Sequence, residues 1–363
     1  MSEEQQAFDF LGAYCPIPLS HSEQIIIGHG SGGRLTHELI QRIFKTHFAN
    51  PLLEQGDDGV VLPVMNPDHF EIVVSTDSHV VSPIFFPGGD IGKLAVCGTV
   101  NDVAVMGAKP LYLTAAFILE EGLQVEVLEY IVSSMAKTAR EAGVSIVAGD
   151  TKVVERGKGD GIFIITSGVG IRPKSLQVSG RNAQIGDRII LSGALGEHGV
   201  AVLQARGNLG FTSDIQSDVA PLNHLIASAL EAGKGSQQNA IHTMRDVTRG
   251  GLATTLNEIA AQSNVGVLIE EAAIPVNETV NSVCEMLGFD PLYMANEGKC
   301  LFFVDPKRVD QVLEAIRAHE YGRQAAVIGE VVADPIQKVL LKTIMGSTRL
   351  VDMLSGEMLP RIC

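Results

Sequence analysis

Residues 75–108 read STDSHVVSPIFFPGGDIGKLAVCGTVNDVAVMGA. The opening STD closes the apolar run FEIVVSTD, whose pattern predicts a strand ending in a polar turn at Asp77. IGKLAVCGTVNDVAVMGA has helical periodicity and stops at Gly107. Between them lies PGGDIGKL, which resembles a phosphate-binding P-loop but is one residue short. Leu94 also stands where that loop needs a Ser or Thr for Mg²⁺. Inside the helix, Asn101 and Asp102 interrupt an otherwise apolar segment, where an unpaired charge is costly.

Upstream, QIIIG reads as a strand, GHGSGG as a glycine-rich turn and RLTHELIQRIF as a helix. Gly28, Gly30 and Gly33 satisfy G-x-G-x-x-G, yet Asp57 and Asp58 precede the next strand instead of ending it, so the dinucleotide fingerprint is incomplete. The loop that includes Gly30, Gly32 and Gly33 is either a tight turn or a backbone cradle for phosphate. Downstream come the strand LYLTAAFIL, the amphipathic helix QVEVLEYIVSSMAKTAREAG and the strands VSIVAGD and GIFIITSGVGI. Residues 172–187 lack periodicity and suggest a domain junction. Beyond it MRDVTRGGLATTLNEIAAQS reads as a turn leading into a helix, and EHGVAVLQARG, VNSVCEMLG and RVDQVLEAIRAHE read as helices. RIILSG, GVLIEEAAIPV, LYMANEGKCLFFVDP, AAVIGEVV and KVLLKTI read as strands, the third interrupted by NEGK. Without a clean βαβα alternation, an α+β architecture is favoured over a doubly wound sheet. The expected division is an irregular extension at 1–23, domains at 24–172 and 185–350, and a mobile tail at 355–363.

The net charge of −15 argues against nucleic acid as a partner. No apolar run reaches the ~18 residues of a membrane span. The five cysteines (15, 97, 284, 300 and 363) form no CxxC pair, which suits a reducing cytoplasm and suggests neither disulfides nor zinc. Cys97, Cys284 and Cys300 lie in apolar segments and read as buried small hydrophobes.

Asp57, Asp58, Asp77, Asp102 and Asp150 sit at element ends or in polar breaks. Each alone suits a helix cap or an Asx-turn; together they suit a hard cation such as Mg²⁺, which takes one or two carboxylates plus substrate phosphates. Lys93 and Lys152, close to these carboxylates, are either surface lysines or phosphate contacts. Glu297, in ANEGK, is either an exposed turn residue or a buried general base. The chain ends GEMLPRIC, with Cys363 last, so it is no prenylation signal. Its own carboxylate raises the thiol pKa, and reactivity then needs a cationic neighbour. The arm from Ser355 to Cys363 reaches at most ~30 Å, with Pro360 to stiffen it and Arg361 as a positive handle for an acidic site. Cys15 has no reading.

HGSGG, the 75–108 block, FILEEGL, GDTKVVERG, MRDVTRGGLATTLNEIA, ANEGK and the terminal PRIC, in that order over residues ~24–363, resemble the hydrogenase maturation HypE family of the PurM-like superfamily. The resemblance implies a two-domain α+β protein with an N-terminal α/β sheet domain that forms a barrel with a second subunit, and a C-terminal α+β sandwich. It implies a homodimer binding ATP near the interface, with Mg²⁺. A HypF-like carbamoyltransferase would load a carbamoyl group on Cys363, and the chain would dehydrate it with ATP to a thiocyanate. The cyanide would pass to iron on a HypC–HypD-like scaffold, for [NiFe] hydrogenase. Cys363, Glu297 and Lys152 would be catalytic, Glu297 as base. Asp77, Asp102 and Asp150 would carry the nucleotide and metal role, with Asp58 a further metal candidate. Lys93, Asn101, Thr151, Gly30, Gly32 and Gly33 complete the nucleotide candidates, and Asp246, Thr248, Arg249, Gly250 and Gly251 match a superfamily turn near the nucleotide. A selenide dikinase would carry a cysteine in or beside the glycine loop, a small-molecule kinase has no use for a terminal cysteine, and a pure carrier has no use for the acidic turns.

Overall fold

The computed structural model describes residues 33–39, 41, 60–62, 69–207, 213–235, 238–356, 359 and 361–363. The expectations for residues 1–23, Gly28, Gly30, Gly32, Asp57 and Asp58 lie outside them. The first half carries α1 (Arg34–Leu39), β1 (Val60–Leu62), β2 (Phe70–His79), the short β3 (Phe85–Phe86) and β4 (Gly89–Asp90), α2 (Ile91–Val105), β5 (Lys109–Glu120), α3 (Val125–Ala142), β6 (Ser145–Val154) and β7 (Ile162–Pro173). Five of its strands form one sheet in the order β1-β2-β7-β5-β6. All neighbours are antiparallel except β5 and β6. The helix α3 makes their crossover, as a parallel pair requires.

Alternation decides which face is covered. Val73, Ser75 and His79 of β2, with Ile162, Ile164 and Thr166 of β7, are buried. Ile162 and Ile164 share a core cluster with Leu94, Val96 and Val100 of α2 and Ile131 and Met135 of α3. The opposite face, with Ile72, Val74, Phe163, Ile165 and Val169, is only half-buried. The helix α2 starts where Asp90 caps it: its Oδ1 accepts the N–H groups of Gly92 (2.7 Å) and Lys93 (3.1 Å). The loop that resembles a P-loop thus supplies a helix cap.

The second half carries β8 (Arg188–Leu191), α4 (Glu197–Ala205), α5 (Asn223–Ala232), β9 (Ile241–Asp246), α6 (Gly251–Ser263), β10 (Gly266–Glu270), α7 (Glu278–Leu287), β11 (Cys300–Val304), α8 (Val309–Ala318), β12 (Ala326–Val332), β13 (Val339–Lys342) and β14 (Thr348–Val351). Its seven-stranded sheet runs β14-β13-β10-β12-β8-β11-β9. Both faces are covered: Ile189, Leu191 and Phe303 pack with Leu252, Leu256 and Ile259 of α6, while Ile190 and Phe302 pack with Leu225 of α5 and Val312 of α8. This explains the unbroken apolar runs IIL (189–191) and CLFFV.

The two halves share cores. Ala104 and Val105 of α2 join the α5 cluster, and Val200 of α4 joins the first-half cluster. Several segments depart from the sequence reading. The strand β2 runs through Asp77 to His79, and GVLIEEAAIPV is a strand only to Glu270, followed by a 3-10 turn at Glu271–Ala273. LYMANEGKCLFFVDP is not one interrupted strand: Pro291–Tyr293 forms a 3-10 turn and the strand begins only at Cys300. MRD is the end of β9, not part of a turn.

Candidate functional site

At the seam between the halves, five segments enclose a cavity of about 190 Å³. Asp77 and His79 come from the end of β2, Gly98 and Asp102 from α2. Asp246, Thr248 and Arg249 come from the end of β9 and the turn after it, Glu297 from the loop before β11, and Cys363 from the tail.

Each side chain is held by its local structure. A Cβ on Gly98 would stand 3.0 Å from His79 Cε1 and 3.2 Å from Asp77 Oδ2, so a bare helix position lets β2 bring both side chains in. The Ser78 N–H donates to Asp77 Oδ1 at 2.7 Å. His79 Nε2 lies 3.7 Å from Asp77 Oδ2. Burial depresses the His79 pKa, against the pull of Asp77 and with the push of Arg249. Asp102 accepts a 2.8 Å hydrogen bond from the Ser75 hydroxyl, which accounts for a carboxylate inside an apolar helix.

Glu297 is 4% exposed, and its Oε1 has no hydrogen-bond partner among the described residues. Burial raises its pKa well above the carboxylate range; Asp218, Asp77 and Asp246 add to this, and a hydrogen bond with the Cys363 side chain opposes it. Its backbone is fixed by Asp218, whose Oδ1 and Oδ2 accept the N–H groups of Glu297 and Gly298, each at 3.1 Å. Any Cβ on Gly298 would fall 1.9 Å from the Asp218 carbonyl oxygen, so only glycine fits. Lys299 is buried between Glu197 (3.0 Å) and Asp218 (3.2 Å). Burial pulls its pKa down, but these two carboxylates outweigh that and raise it. Asn296 accepts the Gly196 N–H at 2.8 Å and donates to the Met294 carbonyl at 3.0 Å. The NEGK motif therefore holds a buried carboxylate in place through Asn296, Gly298 and Lys299.

The tail was expected to be loose, and its described end is docked. Leu359 and Ile362 join the first-half core, and Ile362 bridges Val81. The Arg361 carbonyl accepts from the Ser82 N–H (3.1 Å) and from Arg206 Nη2 (3.0 Å). Arg361 itself pairs with Asp160 at 2.5 Å instead of entering the acidic cavity. The Cys363 thiol is raised well above its ordinary pKa by burial, with Arg249 opposing and Glu297 and Asp77 reinforcing the rise. Cys97, Cys284 and Cys300 are buried. Burial holds the Cys284 thiol up at about 11.

Other candidates lie elsewhere. Asp150 and Lys152 form an exposed 3.0 Å ion pair on β6, flanking Thr151. Along the register Ser78↔Ile165↔Ala116↔Asp150, Asp150 is three strands, ~14 Å, from the end of β2. Lys93 donates to the Gly88 carbonyl at 3.1 Å. Asn101 clamps the two halves together: it donates to the Ala220 carbonyl (3.1 Å) and accepts the Leu222 N–H (2.7 Å). Gly33 packs against the backbone at Leu354. Among the described residues, no three His, Cys, Asp or Glu side chains are grouped to hold a metal unaided. None of their helices is long and apolar enough to cross a membrane.

The sheet pair and the seam define an AIR synthase-related protein. Residues 56–172 match the family described as AIR synthase related protein, N-terminal domain, and residues 184–342 match its C-terminal domain. Within that class the chain belongs to the HypE family. It is 53% identical to carbamoyl dehydratase HypE of Cupriavidus necator, over 97% of this chain and 98% of that protein. It is similar to a HypE solved in complex with ATP (46% identity, TM-score 0.76, 94% of this chain and 100% of that one). It is also similar to a chain of a HypE–HypF complex (49% identity, TM-score 0.81, 87% of this chain and 99% of that one).

Proposed function

We propose that this chain is a carbamoyl dehydratase that converts an S-carbamoyl group on its own Cys363 to a thiocyanate with ATP, during hydrogenase maturation. The observation that carries this reading is the docked tail, which places Cys363 in the same acidic cavity as the buried Glu297. An amide oxygen is a poor leaving group. Its attack on the terminal phosphorus of ATP forms a C–O–P linkage and breaks the bond to ADP. One N–H proton is lost on forming the imidate phosphate. The second leaves as the C–O bond breaks, giving C≡N and phosphate.

Glu297 suits the removal of those protons. Burial and the facing Asp218, Asp77 and Asp246 make its carboxylate a stronger base than an exposed one. Arg249 faces Cys363, Asp77, Glu297 and Asp102 and offsets negative charge in the cavity. The donors here are oxygens, which suit a hard cation: Asp77 and Asp102 would hold Mg²⁺, with substrate phosphates completing its shell. Bound there, it would neutralise charge on the transferred phosphoryl group.

The half-buried outer face of the first sheet and its exposed edge β6, carrying Ile146, Val147 and Val153, support a homodimer paired through this sheet. Asp150, Thr151 and Lys152 would then act on the partner subunit's reaction. A HypF-like enzyme would load the tail, and a HypC–HypD-like scaffold would receive the cyanide. With ATP, Mg²⁺ and the loading partner, the carbamoylated C-terminal peptide should lose the mass of one water. An adduct that persists unchanged overturns the assignment.

A further inference from the structure

The last peptide carbonyl of the chain, that of Ile362, points into the protein. It accepts a 2.7 Å hydrogen bond from Nε2 of His198, a fully buried residue of α4. A carbonyl only accepts, so Nε2 carries the proton. The other nitrogen, Nδ1, lies 2.8 Å from Ser217 Oγ. That hydroxyl oxygen already accepts the Val219 N–H at 3.1 Å, leaving its own hydrogen for Nδ1. Phe86 meets the imidazole edge-on, at a centroid distance of 5.3 Å and an interplanar angle of 89°. The ring is therefore fixed in place, orientation and tautomer. Burial depresses its pKa, against Asp218 and the Ile362 bond, which agrees with a neutral ring.

We propose that His198 is a positioning residue for the reaction at Cys363: its Nε2–H fixes the last peptide group, so that the sulfur and its cargo meet Glu297. Beyond the Ile362 carbonyl only rotations within Cys363 remain, so this bond is the final main-chain constraint on the reacting group. The preceding carbonyl, of Arg361, is held separately by Ser82 and Arg206. The residue before His198, Glu197, pairs with Lys299; Lys299 pairs with Asp218; and Asp218 holds the Glu297 backbone. The first turn of α4 thus fixes the arm on one side and the base on the other. The inference rests on the reading that Cys363 carries the reacting group.

Loading by a partner requires the tail to leave, and dehydration requires it to return. Without the His198 bond, the docked state leaves a buried carbonyl unsatisfied, while in the released state water satisfies it. Two variants separate the roles. His198→Gln keeps an N–H donor near Nε2; His198→Leu fills the space without one. Each protein is loaded by the carbamoyltransferase and followed through one turnover by the mass of its C-terminal peptide. The leucine variant should load within twofold of wild type and dehydrate ~10–100-fold more slowly, a loss sized on one buried hydrogen bond. Half-saturation by ATP should not move, and glutamine should restore most of the rate. Before loading, iodoacetamide should alkylate Cys363 faster in the leucine variant, while Cys97, Cys284 and Cys300 stay unmodified. Equal dehydration rates in all three proteins overturn the proposal. Exposure of the buried cysteines in the leucine variant also overturns it, marking His198 as a packing residue. If loaded wild type itself loses no water, the dehydratase reading fails instead, and the alkylation rates still decide whether His198 latches the tail.

Discussion

Asp77 and Asp150 are alike in sequence and opposite in structure. Each is a carboxylate near a glycine or serine turn at the end of an apolar run. The Asp77 side chain is 33% exposed and faces a cavity built from both halves of the chain. The Asp150 side chain is 63% exposed and pairs with Lys152 on an edge strand. The cavity gathers its groups within one chain. The edge strand presents its groups outward, to whatever pairs with it. The difference teaches that one chain brings the proposed base and Cys363 together completely, but gathers only part of the proposed phosphate-handling set.

The strongest break of this contrast comes from the cavity side. Cys363→Ala should accept no carbamoyl group at all while keeping a cooperative thermal transition. Glu297→Gln should load normally and lose ~10²–10⁴-fold in dehydration, the range of general-base catalysis, seen as accumulation of intact adduct. The edge-strand side is tested by mixing. Glu297→Gln and Lys152→Ala homodimers should both be slow. Subunit exchange between them should restore activity if Lys152 serves the partner, because one site in each mixed dimer is then whole. No recovery on mixing would place Lys152 in its own chain's reaction or outside the reaction. Removing the buried cation is a stability test. Lys299→Met leaves Glu197 and Asp218 facing each other unpaired and should cost about 3–5 kcal/mol in denaturant unfolding.

The smallest effect is a pH slope. Folding raises the Glu297 pKa, so above the unfolded carboxylate's pKa of ~4.3 the folded state binds more protons than the unfolded one. Stability from this group is therefore greatest at acid pH. It declines as pH rises toward the folded pKa, by at most about 1.4 kcal/mol per unit. Glu297→Gln should flatten that part of the stability profile.

Much of this was legible in local pattern. The helix α2 ends before Gly107, and α3 ends at Gly143 in a left-handed cap, as their glycines suggested. Glu297 and Cys363 stood out because each is chemically out of place where it sits. Asp218, Lys299 and His198 did not. Asp218 lies in a polar stretch with no periodicity, and its carboxylate matters through Lys299 and backbone N–H groups about 80 residues away. Lys299 carried one unused signal, a cation at the threshold of the wholly apolar strand CLFFV. His198 sits in a glycine-led helix start, and its partner is 164 residues on. The docked tail was missed because PRIC looks irregular. Its order comes from Ile362 in a core that other segments build.

The docking of Ile362 has a kinetic meaning. A substrate borne on the enzyme's own arm meets the active site at an effective concentration set by tether length, not by the amount present in solution. Such a site needs no affinity for any free carbamoyl compound. Its single-turnover rate should stay constant on dilution for as long as the assembly that completes the site survives.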